Sequence, residues 1–275
     1  MRNFVYYFVQ IVGFVFHFSI ADPIRGDNVF AVKEGEFPLA AALIRKTECL
    51  NDECDFICTG VLISKRHILT ADHCFEELQP NDTQIILNSI DLRYGTRYNV
   101  SKWITYDEWA MKKRIHIVLY DNDIAVIELS EDVDDKLVPA KLSKKSRCEL
   151  KNRNVTMLGW GQRSLNSTEN PRYLHKAQLQ VLKIRDCQQI MLKLLNRLAD
   201  IEDSYFCTRA EPFILLGHGD SGGPILTEKG KVVGVNTGIC PNYFTLHPRQ
   251  INKVVNLHAS VHYYKKFIKD VLNGF

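Results

Sequence analysis

Between Gly217 and Pro224 the chain reads Gly-His-Gly-Asp-Ser-Gly-Gly-Pro, one serine set among glycines and an acid in a stretch that can hardly be helix. A turn there exposes the Ser221 hydroxyl. It also lets the backbone N–H groups of Gly219 and Ser221 point at one spot beside it, as stabilisation of an oxyanion requires. A serine hydroxyl is a weak nucleophile, so it needs a base to take its proton and a carboxylate to orient and stabilise the resulting imidazolium. Upstream residues supply both types. His73 lies in Leu69-Thr70-Ala71-Asp72-His73-Cys74, and Asp123 opens the apolar strand-like run Asp123-Ile124-Ala125-Val126-Ile127-Glu128-Leu129. Plainer readings exist for each residue alone: a Gly-Pro surface turn for the octet, a strand-start cap for Asp123, and a hydrogen-bonded structural imidazole for any single histidine. That last reading is applied to His67, His116, His175 and His258.

The order His, Asp, Ser is one of three in which this triad recurs on unrelated folds. Two more motifs accompany it, Gly35-Glu36-Phe37-Pro38 near the start and Gly159-Trp160-Gly161 between the Asp123 and Ser221 boxes. On these five motifs the chain resembles the chymotrypsin-like (trypsin-family) serine proteases over nearly all its length after the leader. The resemblance implies an all-β fold of two tandem six-stranded antiparallel β-barrels with a C-terminal helix. It places His73 and Asp123 on the first barrel, Ser221 on the second, and the cleft between them. It implies peptide-bond hydrolysis through an acyl-enzyme, with Ser221 as nucleophile, His73 as base and then acid, Asp123 fixing the tautomer, and neither metal nor organic cofactor. Protein or peptide substrates and protein inhibitors are the partners of such an enzyme, which is expected to be a monomer.

The resemblance also marks departures. In active members the acid beside the serine, here Asp220, pairs with an α-amino group released by zymogen cleavage. The family interval from Gly35 leads back to Gly26, preceded by Arg25, and Gly26 lacks the apolar side chain that anchors such a terminus. Ile24-Arg25-Gly26-Asp27 fits two residues out of step. The floor of the specificity pocket falls on Leu215, which offers a buried Lys or Arg no counter-charge. Apolar or aromatic side chains, or a partly filled pocket, are expected instead. Gly217 stands where a cysteine usually bridges to the position of Cys240, the strand Gly234 to Cys240 is one residue short and lacks the usual Trp, and Thr227 and Val155 replace a further disulfide. Asp72, in place of a small residue, sits where it can perturb the imidazole. These departures sustain a rival reading, a catalytically weak or inactive homologue acting as a binding or regulatory module.

The composition is that of an ordinary globular protein: 275 residues, 45% hydrophobic and 24% charged, with a net charge of +3. No basic run is long enough to read as a nucleic-acid surface, and Lys112-Lys113-Arg114 reads as a solvated loop. Residues 1–21 combine Arg2, an apolar run from Phe4 to Phe18 and small residues at Ser19 and Ala21, which reads as a secretory signal peptide. The run is short for a bilayer and broken by Gln10 and His17, so no membrane association is expected after its removal. Residues 22–275 then form one peptidase domain, with barrels over roughly 36–132 and 147–260.

Secretion gives meaning to the eight cysteines and to the sequons at Asn81, Asn99, Asn154 and Asn166. The resemblance implies disulfides Cys58 to Cys74 and Cys187 to Cys207, and Cys49 and Cys54 are near enough to close a small loop. Cys148 and Cys240 are left to pair with each other, stay free or bind another chain. Short strand-like runs cover 39–45, 59–63, 67–71, 83–87 and 124–129, then 154–158, 177–183, 223–226 and 231–235, joined by a polar, Lys-rich link over 133–146. Apolar spacing predicts helices over 186–198 and 260–272.

Overall fold

The computed structural model describes residues 26, 28–46, 55–76, 78–117, 122–161, 172–196, 200–241 and 248–275. The leader, Arg25, the Cys49 to Cys54 loop and the Asn166 sequon lie outside them. Six strands make the first barrel: β2 (Ala40–Arg45), β3 (Phe56–Leu62), β4 (His67–Thr70), β5 (Thr83–Leu87), β6 (Thr96–Thr105) and β7 (Ala125–Leu129), preceded in the chain by β1 (Val29–Ala31). They close in the order β2-β3-β4-β7-β6-β5, every pair antiparallel. The second barrel comprises β8 (Asn154–Gly159), β9 (His175–Val181), β10 (Tyr205–Arg209), β11 (Pro224–Thr227), β12 (Val232–Cys240) and β13 (Val255–Ser260). It runs β9-β10-β13-β12-β11-β8 and closes through β8 on β9. Among the described residues four α-helices accompany the barrels: α1 (Tyr106–Lys112), α2 (Arg147–Leu150), α3 (Ile184–Leu195) and α4 (Lys265–Leu272).

The strand period explains what is buried. In β6 the residues Tyr98 and Val100 face the core while Arg97 and Asn99 face solvent. This strand escapes sequence reading because its outward face is so polar, and β10 and β13 escape it as well. Helix α1 is missed for another reason, since seven residues are too few to show a period. A capping box starts it: the Glu108 N–H donates to Thr105 Oγ1 (3.2 Å) and the Thr105 N–H to Glu108 Oε2 (3.1 Å). The C-terminal helix begins at Lys265 and not at 260, because Ser260 still belongs to β13 and a turn intervenes. Helix α3 starts two residues earlier than expected and stops at Asn196, whose φ of 52° ends it.

The link over 133–146 is tied to both barrels, with the Ala140 N–H donating to the Leu62 carbonyl (2.8 Å) and the Val232 N–H to the Lys141 carbonyl (3.0 Å). The chain ends cross over. Strand β1, which precedes the first barrel, pairs with β9 of the second, Val29 opposite Ala177. Helix α4, which follows the second barrel, docks on α1 of the first. There Phe267 and Tyr264 pack edge-on against Tyr106 at 5.7 and 4.9 Å between ring centres, and Trp109 Nε1 donates to Asp270 (3.2 Å).

Disulfides join Cys58 to Cys74 and Cys187 to Cys207. Cys148 and Cys240 are both free, the first exposed and the second buried, so they do not pair with each other. Burial pushes the Cys240 thiol up to about 12, which leaves it unreactive. Thr227 and Val155 stand directly opposite each other in the β11–β8 ladder, so backbone pairing holds the place where a bridge could lie.

Candidate active site

His73 sits in a short 3-10 turn, Asp72–Phe75, that follows β4 and is stapled to β3 by the Cys58–Cys74 bridge. Asp123 precedes β7, the neighbour of β4 in the barrel, so adjacent strands bring the two together. The contact is tight. His73 Nδ1 lies 3.0 and 2.9 Å from the two Asp123 carboxylate oxygens, and the His73 backbone N–H donates to Oδ1 at 3.0 Å. The Asp123 side chain is only 2% exposed, against 18% for His73, so the imidazole is the more open of the two and the carboxylate stands behind it. Burial works against protonation of His73. The Asp123 charge and hydrogen bond, with Glu76 and Asp72, outweigh it and leave the imidazole above its ordinary value.

The serine turn is set against that turn from the second barrel. The Thr59 N–H donates to the Ser221 carbonyl (2.9 Å), and Thr59 Oγ1 donates to the Gly219 carbonyl (2.7 Å). Gly222 has φ of +78°, and a Cβ there would stand 2.0 Å from Thr70 Oγ1, so only glycine lets the two turns approach this closely. Among the described residues the Ser221 hydroxyl makes no hydrogen bond, to His73 or to any other group. The structure thus bonds base to acid and lays the serine turn beside them, with the third link open, as is common before substrate binds.

The N–H groups around the serine divide into two kinds. Those of Asp220, Gly222 and Gly223 donate to the carbonyls of Gly217, Asn236 and Asp220 respectively. Those of Gly219 and Ser221 have no partner among the described residues. Asp220 is fully buried. Its Oδ1 accepts from the Gly161 N–H (3.0 Å) and its Oδ2 from the Gly217 N–H (2.8 Å), which anchors the turn from within. Gly26 packs on the segment leading to this turn, where any side chain would stand 2.3 Å from the Phe213 carbonyl oxygen. An apolar anchor at position 26 therefore has no space. Leu215 is buried at 3% exposure.

A sequence model of the trypsin family matches residues 28–268. The chain belongs to that family of serine endopeptidases. Relatives include a venom serine protease of Polistes dominula, 28% identical over 61% of this chain and 59% of the relative. Venom serine protease 34 of Apis mellifera is 28% identical over 74% of this chain and 49% of its own. Seminase of Drosophila melanogaster is 27% identical over 78% of this chain and 72% of its own. The chain thus spans between 49% and 72% of the length of these relatives. The solved structure of the Vibrio cholerae VesB protease shares the trypsin-family fold with a TM-score of 0.65 at 21% identity, over 90% of this chain and 67% of that one.

Several supporting groups in this trypsin-family site are invisible to sequence reasoning. The Tyr205 hydroxyl on β10 accepts from the Asp123 N–H (3.2 Å), so the second barrel holds the acid of the first. Thr59 and Asn236 tie the serine turn from two sides, the latter by Nδ2 donating to the Asp220 carbonyl (3.0 Å). His67 and His258 take structural places, His67 Nδ1 on Ser64 Oγ (2.7 Å) and His258 between Thr208 and Asn236. Cys58, Cys74 and His73 offer ligand atoms within 4.8 Å of one another, but both sulfurs are bonded to each other and neither is a thiolate for a metal.

Asp72 has a calculable effect on this site. Its burial, together with the charges of Asp123, Asp107 and Glu108, pushes its carboxyl up to about 7. Once ionised, it raises the proton affinity of His73. With Ser221 read as nucleophile and His73 as its base, attack needs the neutral imidazole, and activity is expected to fall as pH drops through the His73 pKa. Asp72→Asn removes the extra charge, and the acid limb of kcat/KM is expected to move to lower pH by about half a unit. A pH–rate profile of the variant that stays put, or moves upward, contradicts this coupling.

Proposed function

We propose that this chain is a secreted serine endopeptidase that cleaves proteins or peptides through an acyl-enzyme and does not select Lys or Arg. Ser221 Oγ bonds to the substrate carbonyl carbon while its proton passes to His73 Nε2, the ring nitrogen turned away from Asp123. The carbonyl electron pair moves onto oxygen and is received by the Gly219 and Ser221 N–H groups. His73 then gives the proton to the departing amine as the C–N bond breaks, and water repeats the sequence on the acyl-enzyme. Asp123 holds the tautomer throughout, and Asp220 keeps the turn in shape. The pocket floor at Leu215 offers no charge to a cationic side chain.

The observation that carries this reading is the Gly219 and Ser221 N–H groups, without a partner among the described residues, in a turn where the N–H groups of Gly217, Asp220, Gly222 and Gly223 are all tied down. Leaving donors unmatched in a half-buried turn costs free energy, and an oxyanion is what repays it. Secretion is supported by exposed asparagines at the Asn81, Asn99 and Asn154 sequons, the last at the outer end of β8. A second reading, a binding or regulatory homologue without hydrolysis, is favoured by the open serine–histidine link and by the missing anchor space at Gly26.

Treatment of the mature secreted protein with a fluorophosphonate, followed by peptide mass analysis, separates the two. Label on Ser221 supports the protease. A protein that is folded, fully processed and unlabelled is the homologue.

A further inference from the structure

We infer that Asn236, His258 and Thr208 form a buried relay that aims the Ser221 N–H at the oxyanion, and that Asn236 and His258 are positioning residues of the reaction. The inference rests on the reading of Ser221 as nucleophile and adds to it the device that holds one of its two oxyanion donors.

A trans peptide is a rigid plane in which C=O and N–H point in opposite directions. The Asp220–Ser221 bond is trans, so whatever grips the Asp220 carbonyl sets the direction of the Ser221 N–H. Among the described residues two donors grip it. One is the Gly223 N–H (3.1 Å), which belongs to the same turn and moves with it. The other is Asn236 Nδ2 (3.0 Å), which stands on β12 in the wall of the second barrel. Of the two, only the amide ties the plane to the barrel. Gly223 makes room for it, since a Cβ there would stand 2.9 Å from Nδ2 and 2.3 Å from the Leu158 carbonyl oxygen.

The orientation of the amide is fixed by what surrounds it. Nδ2 faces two acceptors, the carbonyls of Asp220 and of Leu158 (3.4 Å), so the NH2 end lies there and Oδ1 lies opposite. Oδ1 meets His258 Nδ1 at 3.1 Å, directly across the β12–β13 ladder, and that contact requires the ring proton on Nδ1. Nε2 then keeps a lone pair and accepts from Thr208 Oγ1 on β10 at 2.7 Å. Together the contacts admit one tautomer and one amide orientation. All three side chains are fully buried, and the His258 ring packs on Phe206 with 5.2 Å between ring centres. Burial pushes the His258 pKa down to about 3, so the ring is neutral at every pH at which His73 can act as base.

Hydrogen bonds in series polarise one another. Donation to the Asp220 carbonyl draws electron density through the peptide and makes the Ser221 N–H a better donor as the substrate oxygen becomes negative. The relay therefore acts on the transition state more than on substrate binding.

The test uses protein already shown to take fluorophosphonate at Ser221, with one peptide anilide as substrate. Asn236→Leu removes the donor to the Asp220 carbonyl and is expected to lower kcat about 100-fold while KM stays within about twofold. His258→Phe keeps a ring on Phe206 but removes the Nδ1 donor, and is expected to lower kcat about 10-fold. Because His258 acts through Asn236, the double variant is expected to lose no more than Asn236→Leu alone. A peptide aldehyde bonds its carbonyl carbon to Ser221 Oγ and moves the carbonyl electron pair onto oxygen. Its inhibition constant is expected to rise by the factors by which kcat falls, while a matched peptide alcohol, which forms no adduct, binds unchanged. Folded, labelled variants that keep kcat within about twofold of wild type, or that weaken aldehyde and alcohol alike, overturn the relay and leave the protease reading standing. Imidazole nitrogen NMR of wild type is expected to find the His258 proton on Nδ1. A proton on Nε2 overturns the relay as well, and this spectrum decides alone if neither variant folds. Failure of the label on wild type removes the protease reading and this inference with it.

Discussion

Ser221→Ala is expected to lower kcat by about 10⁶-fold, to the residual that binding and the oxyanion donors alone provide. Its thermal stability is expected to stay within about 0.5 kcal/mol of wild type. Both halves follow from how the turn is held. Thr59 grips the carbonyls of Gly219 and Ser221, the Gly222 N–H donates to the Asn236 carbonyl, and the Asp220 carboxylate takes the N–H groups of Gly161 and Gly217. None of these uses the serine hydroxyl. Its removal takes away the nucleophile and leaves the scaffold untouched. Steady-state kinetics beside a melting curve read the two effects separately, and a variant that keeps activity within tenfold of wild type shows that the nucleophile lies elsewhere.

Asp123→Asn is the second large effect, a fall in kcat of about 10⁴-fold. One Asp123 oxygen, Oδ1, accepts from both the His73 backbone and the His73 ring, and Oδ2 also faces the ring. An asparagine has one acceptor and one donor to place among these. If its NH2 faces Nδ1, the ring must present a lone pair there and carry its proton on Nε2, where it can no longer take the serine's. The imidazolium also loses its counter-charge, so His73 holds its proton less firmly and the acid limb of the rate profile shifts to lower pH. Stability is expected to change less than rate, because the Tyr205 hydroxyl and the His73 N–H keep hydrogen-bonding partners. A variant with near-normal kcat argues that the carboxylate does not hold the tautomer.

The sequence discloses those parts of the molecule whose function restricts residue type. The octet around Ser221 is legible because nothing but glycine fits so close to Thr70 and Phe56. The central apolar strands are legible for a similar reason, since β2 and β7 are buried along almost their whole length. Strand β6 is not, because its buried residues Tyr98 and Val100 alternate with polar ones facing water and a bulge before Lys102 breaks the period. Nor is the support of Asp123 by Tyr205, or of Ser221 by Thr59, because a hydrogen bond between residues far apart in the chain leaves no local pattern.

The crossing of the chain ends bears on how the molecule comes apart. Strand β1 and helix α4 are each lodged on the half of the protein they do not belong to, like two people each holding the other's sleeve. Neither half can loosen without tugging its partner's terminus free. Heating is therefore expected to melt both together in a single step, and a nick that detaches either end should weaken the far half as much as the near one.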